Sequence, residues 1–293
     1  MADTPVVFLN GTRQAGKTTL TQLWAKNSHG SQVFTFDDPQ YRAAATADPR
    51  GFLDGIHGPV VLDEVQKVPA LFPLLKLSVD QDRRPGRFLL TGSTSVKALP
   101  ELARAMVGRM EVLTLWPLSQ REIEKRAGNW VDTVYSPSFL PRGSQNDAGD
   151  TLYQRVVRGG YPEAISRSDP ARRADWFDSY IRLILQKEVE DLAMIERLAE
   201  LPALLGLLAL RIAGLANFSE LSRSLGLPQT SLKRYVGLLQ ALFLVQLLPA
   251  WSSRRGKRLV RAAKIHLCDT GMAARLAGLD PGLAPAPDPK WGP

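Results

Sequence analysis

The sequence predicts an α/β fold in which a parallel β-sheet is covered by helices on both faces. Short apolar runs recur along the first 120 residues, and stretches with helical periodicity separate them. This alternation is typical of a parallel sheet, because strands that are buried on both faces are apolar throughout. The expected strands lie within residues 6–9, 32–36, 60–66, 87–95 and 110–119, with helices such as 17–27, 68–80 and 95–107 between them.

The first apolar run leads into the sequence NGTRQAGKTTL, from Asn10 to Leu20. Gly11, Gly16, Lys17 and Thr18 have the spacing of a phosphate-binding loop. The glycines permit positive φ, which turns consecutive N–H groups toward phosphate oxygens, and the next helix points its positive end at the same place. The expected nucleotide contacts are Gly11, Thr12, Arg13, Gln14, Ala15, Gly16, Lys17, Thr18 and Thr19.

Two residues of this loop have separate expected tasks. Lys17 is a catalytic candidate that reaches the β and γ phosphates of ATP, and the Thr18 hydroxyl is a ligand for Mg²⁺. A glycine turn beside a solvated lysine is the plain structural alternative. The strand before the loop and the helix after it favour nucleotide binding.

Polar side chains follow the third and fourth apolar runs. Asp63 is expected to accept Mg²⁺, directly or through water, and Glu64 to polarise the water that attacks the γ phosphate. A surface salt bridge at a strand end is the alternative for Glu64. Thr91 or Ser93 is expected to hold the attacking water or the γ phosphate. The second carboxylate favours ATP hydrolysis over transfer to a small molecule.

Arg109 stands between an expected helix and the fifth strand, in the sequence ELARAMVGRMEV. In a ring or dimer of such modules, an arginine at this place can reach a neighbour's site and neutralise transition-state charge. It is therefore a catalytic candidate and points to a homo-oligomer. The alternative, left open here, is a helix C-terminal arginine that binds its own carbonyl groups.

Several segments resemble one known family along nearly the whole chain. These segments are RQAGKTTL, LDEVQKVPALF, LLTGSTS, GRMEVLTLWPLSQREI, GGYPEAI, LPQTSLKRYVGLLQALFLVQLLPAW and AKIHLCDTGMAARLAGL. The family to which they are similar is that of AAA-type ATPases whose C-terminal half is the domain of unknown function DUF4143. The resemblance implies an ATP-binding core, a helical lid, a winged-helix module and a further nuclease-like region. Because the chain ends at Gly292-Pro293, where that last region would begin, we expect no nuclease-related role.

The expected organisation follows from this resemblance and from composition. Residues 1–130 form the P-loop core, 131–200 a linker and helical lid, 201–280 a winged-helix domain and 281–293 a flexible Pro-rich tail. A helix is expected to break at Gly159-Gly160-Tyr161-Pro162. The resemblance places this turn near the nucleotide base with Tyr161 or Pro162 as contacts, and a plain helix-breaking turn explains the same residues.

The positive charge is concentrated at the C-terminal end. Residues 201–293 contain 12 Lys and Arg against 4 Asp and Glu, so the formal +8 of the chain lies there. A helix-turn-helix is predicted by the sequence FSELSRSLGLPQTSLKRYVGLL, and a basic wing by the sequence RRGKRLVRAAK. Together these two features favour binding of duplex DNA over a module that binds only protein. The nucleic-acid candidates are Gln229, Thr230, Ser231, Lys233, Arg234, Arg254, Arg255, Lys257 and Arg258.

Other residue types indicate no further chemistry. The single Cys268 is expected to be buried and inert in a reducing cytosol. The longest apolar stretch is interrupted by Arg211, which predicts a packed helix rather than a membrane span, and no leader precedes Val6. We therefore expect a cytoplasmic protein. The histidines are too scattered to suggest a metal site: His29, His57 and His266.

These observations together predict a Mg²⁺-dependent ATPase of the AAA type with a winged helix that contacts DNA. One alternative is a regulatory switch that binds ATP with negligible turnover and uses the winged helix as its output. Another is a scaffold whose winged helix binds only protein.

Overall fold

The computed structural model describes residues 3–28, 30–92, 98–126, 128, 130–139, 150–190, 199–251 and 261–279. The chain divides into two compact units, Met1–Trp116 and Pro117–Pro293. The expected boundary at residue 130 therefore lies inside the second unit.

The first unit is built on a parallel five-stranded sheet with the strand order β2-β3-β4-β1-β5. This confirms the predicted α/β class. The strands are β1 (Val6–Gly11), β2 (Gln32–Thr35), β3 (Val60–Asp63), β4 (Phe88–Thr91) and β5 (Met110–Leu115).

Helices pack on both faces of this sheet, because successive side chains of a strand point to opposite faces and the central strands are buried at every position. On one face Val7, Leu9 and Val61 pack with Trp24 of the first helix. On the other face the alternate strand residues form a larger core with the remaining helices. The helices are α1 (Lys17–Asn27), α2 (Pro39–Ala47), α3 (Pro49–Asp54), a 3₁₀ turn (Val65–Lys67), α4 (Leu71–Gln81) and α5 (Ala98–Ala105).

Two of these helices, α2 and α3, were not predicted, although both carry a local start signal. Each begins with an Asp-Pro pair, in which proline occupies the first turn and the aspartate caps it. The Asp38 carboxylate accepts from the Gln40 N–H at 2.8 Å, and Asp48 accepts from the Gly51 N–H at 2.9 Å.

The second unit is mostly helical. Its helices are α6 (Gln120–Ile123), α7 (Trp130–Val134), α8 (Asp150–Arg158), α9 (Pro162–Ile165), α10 (Pro170–Glu190), α11 (Glu200–Ala209), α12 (Phe218–Leu225), α13 (Gln229–Ala241) and α14 (Thr270–Leu276). Two antiparallel strands, β6 (Val245–Leu248) and β7 (Lys264–Leu267), precede α14, and Leu215 makes an isolated antiparallel bridge to Lys264.

One hydrophobic core extends through this second unit, from Tyr161 in the α8–α9 turn to Met272 in α14. It includes residues from α10, α11, α12 and α13. This core therefore contains residues from both the expected lid (131–200) and the expected second domain (201–280). Among the same residues, no helix is both long and apolar enough to cross a membrane.

The predicted helix break is present between α8 and α9, and the structure gives its cause. Gly159 has φ 69°. A Cβ on Gly160 would lie 2.1 Å from the Leu118 carbonyl oxygen, and the Leu118 N–H donates to the Gly160 carbonyl at 2.8 Å. The Asp269 carboxylate accepts from the Gly160 N–H at 2.6 Å and also from the Met272 N–H at 2.7 Å, where it caps α14.

Candidate functional site

The loop between β1 and α1 takes the backbone conformation that its glycines predict. Positive φ occurs at Gly11 (139°), Gln14 (61°) and Gly16 (98°). A Cβ on Gly11 would lie 2.1 Å from the Leu115 carbonyl oxygen of the neighbouring strand β5. A Cβ on Gly16 would meet no atom within 4 Å, so glycine is required there by the positive φ and not by lack of space.

Lys17 lies buried against the loop at the first position of α1. Its Nζ donates to the carbonyl oxygens of Gly11 at 3.0 Å and Thr12 at 2.8 Å. Burial lowers the pKa of Lys17, and the negative charge of Glu64 acts in the opposite direction. The ammonium group therefore binds the carbonyl groups of the loop and also interacts electrostatically with Glu64.

The other loop residues differ in exposure. Thr12 and Ala15 are buried, and the Thr12 hydroxyl donates to the Arg13 carbonyl at 3.1 Å. The Gln14 and Thr19 side chains are exposed. The loop and the first turn of α1 are therefore accessible at Gln14 and Thr19.

Asp63 ends β3 with only 1% of its surface exposed, and its carboxylate is surrounded by threonine hydroxyls. The Thr18 Oγ1 is 3.2 Å from both carboxylate oxygens, Thr35 donates at 3.0 Å, and Thr91 also donates. The strand register explains this arrangement. Thr35 of β2 pairs with Asp63 of β3, and Thr91 ends β4, which is the neighbour of β3 on its other side.

This donor set fits Mg²⁺. Hydroxyl and carboxylate oxygens are hard ligands of the kind that this ion prefers. Thr18 is exposed and next to Asp63, so the pair supplies one accessible ligand and one buried charge.

Glu64 follows β3 directly and lies on the same edge. Its φ is 56°, in the left-handed region, and its N–H donates to the Thr91 hydroxyl at 3.1 Å. Its Oε2 accepts from the Gln66 side-chain amide at 2.5 Å. Glu64 is only partly buried, and it is the largest opposite charge acting on Lys17.

Sequence reasoning missed two members of this cluster, Thr35 and Gln66, and left Thr91 as one of two options. The signal for Thr35 and Thr91 was their position at strand ends, since carboxyl ends of parallel strands share one edge of the sheet. Finding them required the strand order. Ser93, the other option, lies outside the described residues.

Arg109 lies at the opposite edge of the sheet. It precedes Met110, which pairs with Val6 at the start of β1, whereas the phosphate loop follows the end of β1. These edges are separated by roughly 17 Å of strand. Its guanidinium donates to the Asp80 carboxylate at 2.6 and 2.9 Å and to the Val107 carbonyl at 2.9 Å. Action on the site of its own chain is therefore excluded.

Tyr161 has no exposed surface, which contradicts a contact with a nucleotide base. Its ring packs against Trp176 and Tyr180, and its hydroxyl is 3.2 Å from that of Tyr180. Tyrosine is found here because it fills a hydrophobic core and hydrogen-bonds at its end. Pro162 occupies the first turn of α9 and is partly buried.

Cys268 lies beside that same tyrosine hydroxyl, at 3.5 Å. Burial raises the pKa of Cys268 to about 12, so its thiol stays protonated. This agrees with the predicted inert cysteine.

The expected nucleic-acid contacts on α13 lie at its N-terminal end. Gln229, Thr230, Lys233 and Arg234 are exposed and Ser231 is partly buried. Lys233 lies 5.8 Å from the Phe218 ring centre, and the Gln229 amide donates to Ser219 at 3.1 Å. The remaining candidates, Arg254, Arg255, Lys257 and Arg258, lie outside the described residues.

The loop, the buried aspartate and the strand order define the first unit as a P-loop domain, and comparisons with known proteins agree. Residues 3–124 match the family model described as AAA domain, which supports an AAA-type P-loop domain. Residues 149–282 match a domain of unknown function, DUF8612, in place of the expected DUF4143.

Curated relatives cover almost the whole chain. The uncharacterized proteins Mb2031c of Mycobacterium bovis and Rv2008c of Mycobacterium tuberculosis are each 34% identical over 98% of this chain. The chain spans 59% of the length of each. Among solved structures, the Walker-type ATPase PABY2304 of Pyrococcus abyssi has a TM-score of 0.53 at 14% identity, covering 94% of this chain and 91% of its own. That likeness shows the fold.

Proposed function

We propose that the first unit binds ATP with Mg²⁺ and hydrolyses it to ADP and phosphate. The observation that carries this proposal is the meeting of Lys17, Thr18, Asp63 and Glu64 at the carboxyl edge of the sheet. A phosphate loop alone would support binding. A second carboxylate at the end of β3, beside the first, supports hydrolysis.

Binding rests on the loop and α1. The loop N–H groups and the N-terminal end of α1 offer hydrogen bonds and partial positive charge to phosphate oxygens. Lys17 exchanges its two carbonyl partners for the β and γ phosphates, which are stronger acceptors for an ammonium group. Its burial makes this charge more effective than it would be in water.

Thr18 and Asp63 would hold Mg²⁺, Thr18 by its exposed hydroxyl and Asp63 by its charge. When bound, the ion offsets the negative charge of the β and γ phosphates. Asp63 has three hydroxyl donors, and each can rotate to free a carboxylate lone pair.

Glu64 would orient the attacking water and accept its proton. The negative charge of Glu64 acts on Lys17, so the proposed base and the phosphate-binding cation are close enough to interact. Thr91 fixes the backbone at Glu64 and touches Asp63 as well. This hydroxyl therefore links the Asp63 carboxylate to the backbone of Glu64.

The test is ATP turnover with Mg²⁺ by the parent protein and two variants. Lys17→Ala should abolish ATP binding. Glu64→Gln should retain binding and lose about 10² to 10⁴ in rate, because it keeps the shape but loses the base. Lys26→Ala, an exposed lysine at the end of the same helix, is the matched control and should change neither.

A parent protein that binds ATP tightly without turnover would support a regulatory switch instead. Turnover by Glu64→Gln at the parental rate would remove Glu64 from the catalytic role. Unchanged ATP binding by Lys17→Ala would overturn the proposed site altogether.

We propose as a second function that the second unit contacts duplex DNA through a winged helix. The supporting observation is the element order: α11, the Leu215 bridge, α12, a turn at Gly226, α13 and an antiparallel pair. Gln229, Thr230, Lys233 and Arg234 form one exposed face of α13, and basic side chains there suit phosphate contacts.

A gel shift of duplex DNA tests this second function across salt concentrations. Lys233→Ala with Arg234→Ala should weaken binding and reduce its salt dependence, whereas Lys26→Ala with Arg50→Ala removes the same charge from the first unit and should not. Equal loss in both pairs would indicate non-specific attraction. No shift by the parent protein would favour a scaffold that binds only protein.

A further inference from the structure

We propose that Gln66 is a positioning residue that holds the Glu64 carboxylate in place for catalysis, and that Gly92 provides the space for it. The inference rests on the proposed hydrolysis of ATP. It adds two residues to that site, neither of which contacts the phosphates in the role described.

The backbone brings the two side chains together. Glu64 has φ 56° and ψ 43°, a left-handed conformation that is strained for a non-glycine residue. A 3₁₀ turn over Val65–Lys67 follows immediately. The chain therefore reverses after β3, and Gln66 returns its amide to Glu64, where Nε2 donates to Oε2 at 2.5 Å.

Gly92, which directly follows β4, leaves space for the contact between Gln66 and Glu64. It is buried, and a Cβ there would lie 2.7 Å from Gln66 Oε1 and 3.0 Å from the Phe8 ring. The first distance is too short for a Cβ to coexist with Gln66 in its present place, whereas the second is a tight contact that a small shift can relieve. The phenyl ring belongs to the sheet core, so the glutamine side chain would have to move.

The chemistry of an amide suits this task. It donates a hydrogen bond to one carboxylate oxygen, Oε2, without carrying a charge and without competing for the proton of water. Glutamate otherwise has three rotatable bonds, and fixing them in advance lowers the entropic cost of reaching the reactive geometry. The strained backbone at Glu64 and the amide contact thus fix the two ends of one side chain.

Gln66→Leu tests the proposal, because leucine has a similar size and no donor. We expect kcat for ATP to fall about 10- to 100-fold, as is typical when the partner that orients a reactive group is removed. KM should stay within about threefold, because the phosphate contacts remain. Gln81→Leu makes the same change on an exposed glutamine of the first unit and should leave both constants unchanged.

Gly92→Ala tests the space independently. It should lower kcat to a similar extent, and combining it with Gln66→Leu should add little, because both act through the same contact. Thermal unfolding of each variant shows that it is folded. Additive losses, or a parental kcat in folded Gln66→Leu, would overturn the proposal.

A second readout does not depend on turnover. The side-chain amide resonances of Gln66, observed by nuclear magnetic resonance in selectively labelled protein, should move when Glu64 is changed to Gln, since a carboxylate acceptor is replaced by an amide. If the parent does not hydrolyse ATP, the proposed function fails while this shift still supports the contact. Resonances unaffected by Glu64→Gln would overturn the contact itself.

Discussion

Two buried carboxylates, Asp63 in the first unit and Asp269 in the second, have opposite kinds of donors. Asp63 accepts from three threonine hydroxyls. Asp269 accepts from backbone N–H groups of Gly160 and Met272. A hydroxyl can rotate and donate elsewhere, whereas a backbone N–H is fixed by the fold. Burial of a carboxylate therefore does not by itself indicate a functional site, because its donors decide whether a ligand can replace them.

Of the changes that test this comparison, Asp63→Asn has the largest expected effect. The change removes the charge that supports Mg²⁺, which is worth several kcal/mol, so ATP turnover should fall by about 10³-fold or more. The threonine hydroxyls can rotate to accept from the new amide, so the melting temperature should change little. Turnover measured across Mg²⁺ concentrations checks this, and a parental rate would show that Asp63 is structural.

The same substitution at Asp269 should mainly affect stability. Backbone N–H groups cannot rotate away, so the side-chain amide introduced by Asp269→Asn would leave at least one buried donor unsatisfied at a cost of about 1 to 3 kcal/mol. Urea unfolding at pH 5 should show a larger loss for Asp269→Asn than for Asp63→Asn. Equal losses would contradict the distinction between exchangeable and fixed donors.

The pH dependence of stability should come from Asp269. Burial raises the pKa of Asp269 to about 6, against the N–H donors of Met272, Gly160 and Gly271, which lower it. Its ordinary value in the unfolded chain is about 4, so the folded state binds the proton more tightly. The stabilisation is complete below pH 4 and is lost as the pH rises through 6, by an amount on the order of 3 kcal/mol.

Unfolding midpoints in urea between pH 4 and 7 measure this effect. The difference in stability between the parent and Asp269→Asn should shrink as the pH rises across that range, because only the parent releases the proton. A constant difference across the range would assign the pH dependence to other groups.

Arg109→Ala should have the smallest effect. The guanidinium is paired with Asp80, and the hydrogen bond from Arg109 holds the pKa of that carboxyl below its ordinary value. Both charged groups therefore already have a partner within the chain. An exposed pair of this kind contributes little, and we expect turnover per chain to change less than about threefold. A large loss of turnover in Arg109→Ala would contradict this expectation. If that lost activity were recovered on mixing with Lys17→Ala, Arg109 would act on a neighbouring chain.

The fold of the first unit was largely predictable because its signals are local. Runs such as Val60–Asp63 are wholly apolar before their final acid, and the positions of Gly11 and Gly16 specify a backbone conformation without reference to distant residues. The helices α2 and α3 were missed, although Asp38-Pro39 and Asp48-Pro49 mark their starts. Their short length left little hydrophobic periodicity to detect.

The predicted nucleotide contact at Tyr161 failed because it depended on distant packing. The family resemblance implied a nucleotide contact at Tyr161, yet Trp176 and Tyr180 of α10 pack against its ring. The division of residues 131–280 into a lid and a second domain stays a prediction, and the two parts share a core. Side chains distant in sequence contribute to one core, and a change in local composition does not reveal that.

The sequence by itself determined the phosphate loop and the two acids that end β3, because glycine conformation, helix polarity and the chemistry of carboxylates act over a few residues. Only the tertiary structure decided which side chains surround them. Placing β3 between β2 and β4 brings Thr35 and Thr91 to either side of Asp63, and the turn after β3 brings Gln66 to Glu64. Strand order arises from pairing between segments far apart in the chain, and for that reason no local pattern could have predicted these contacts.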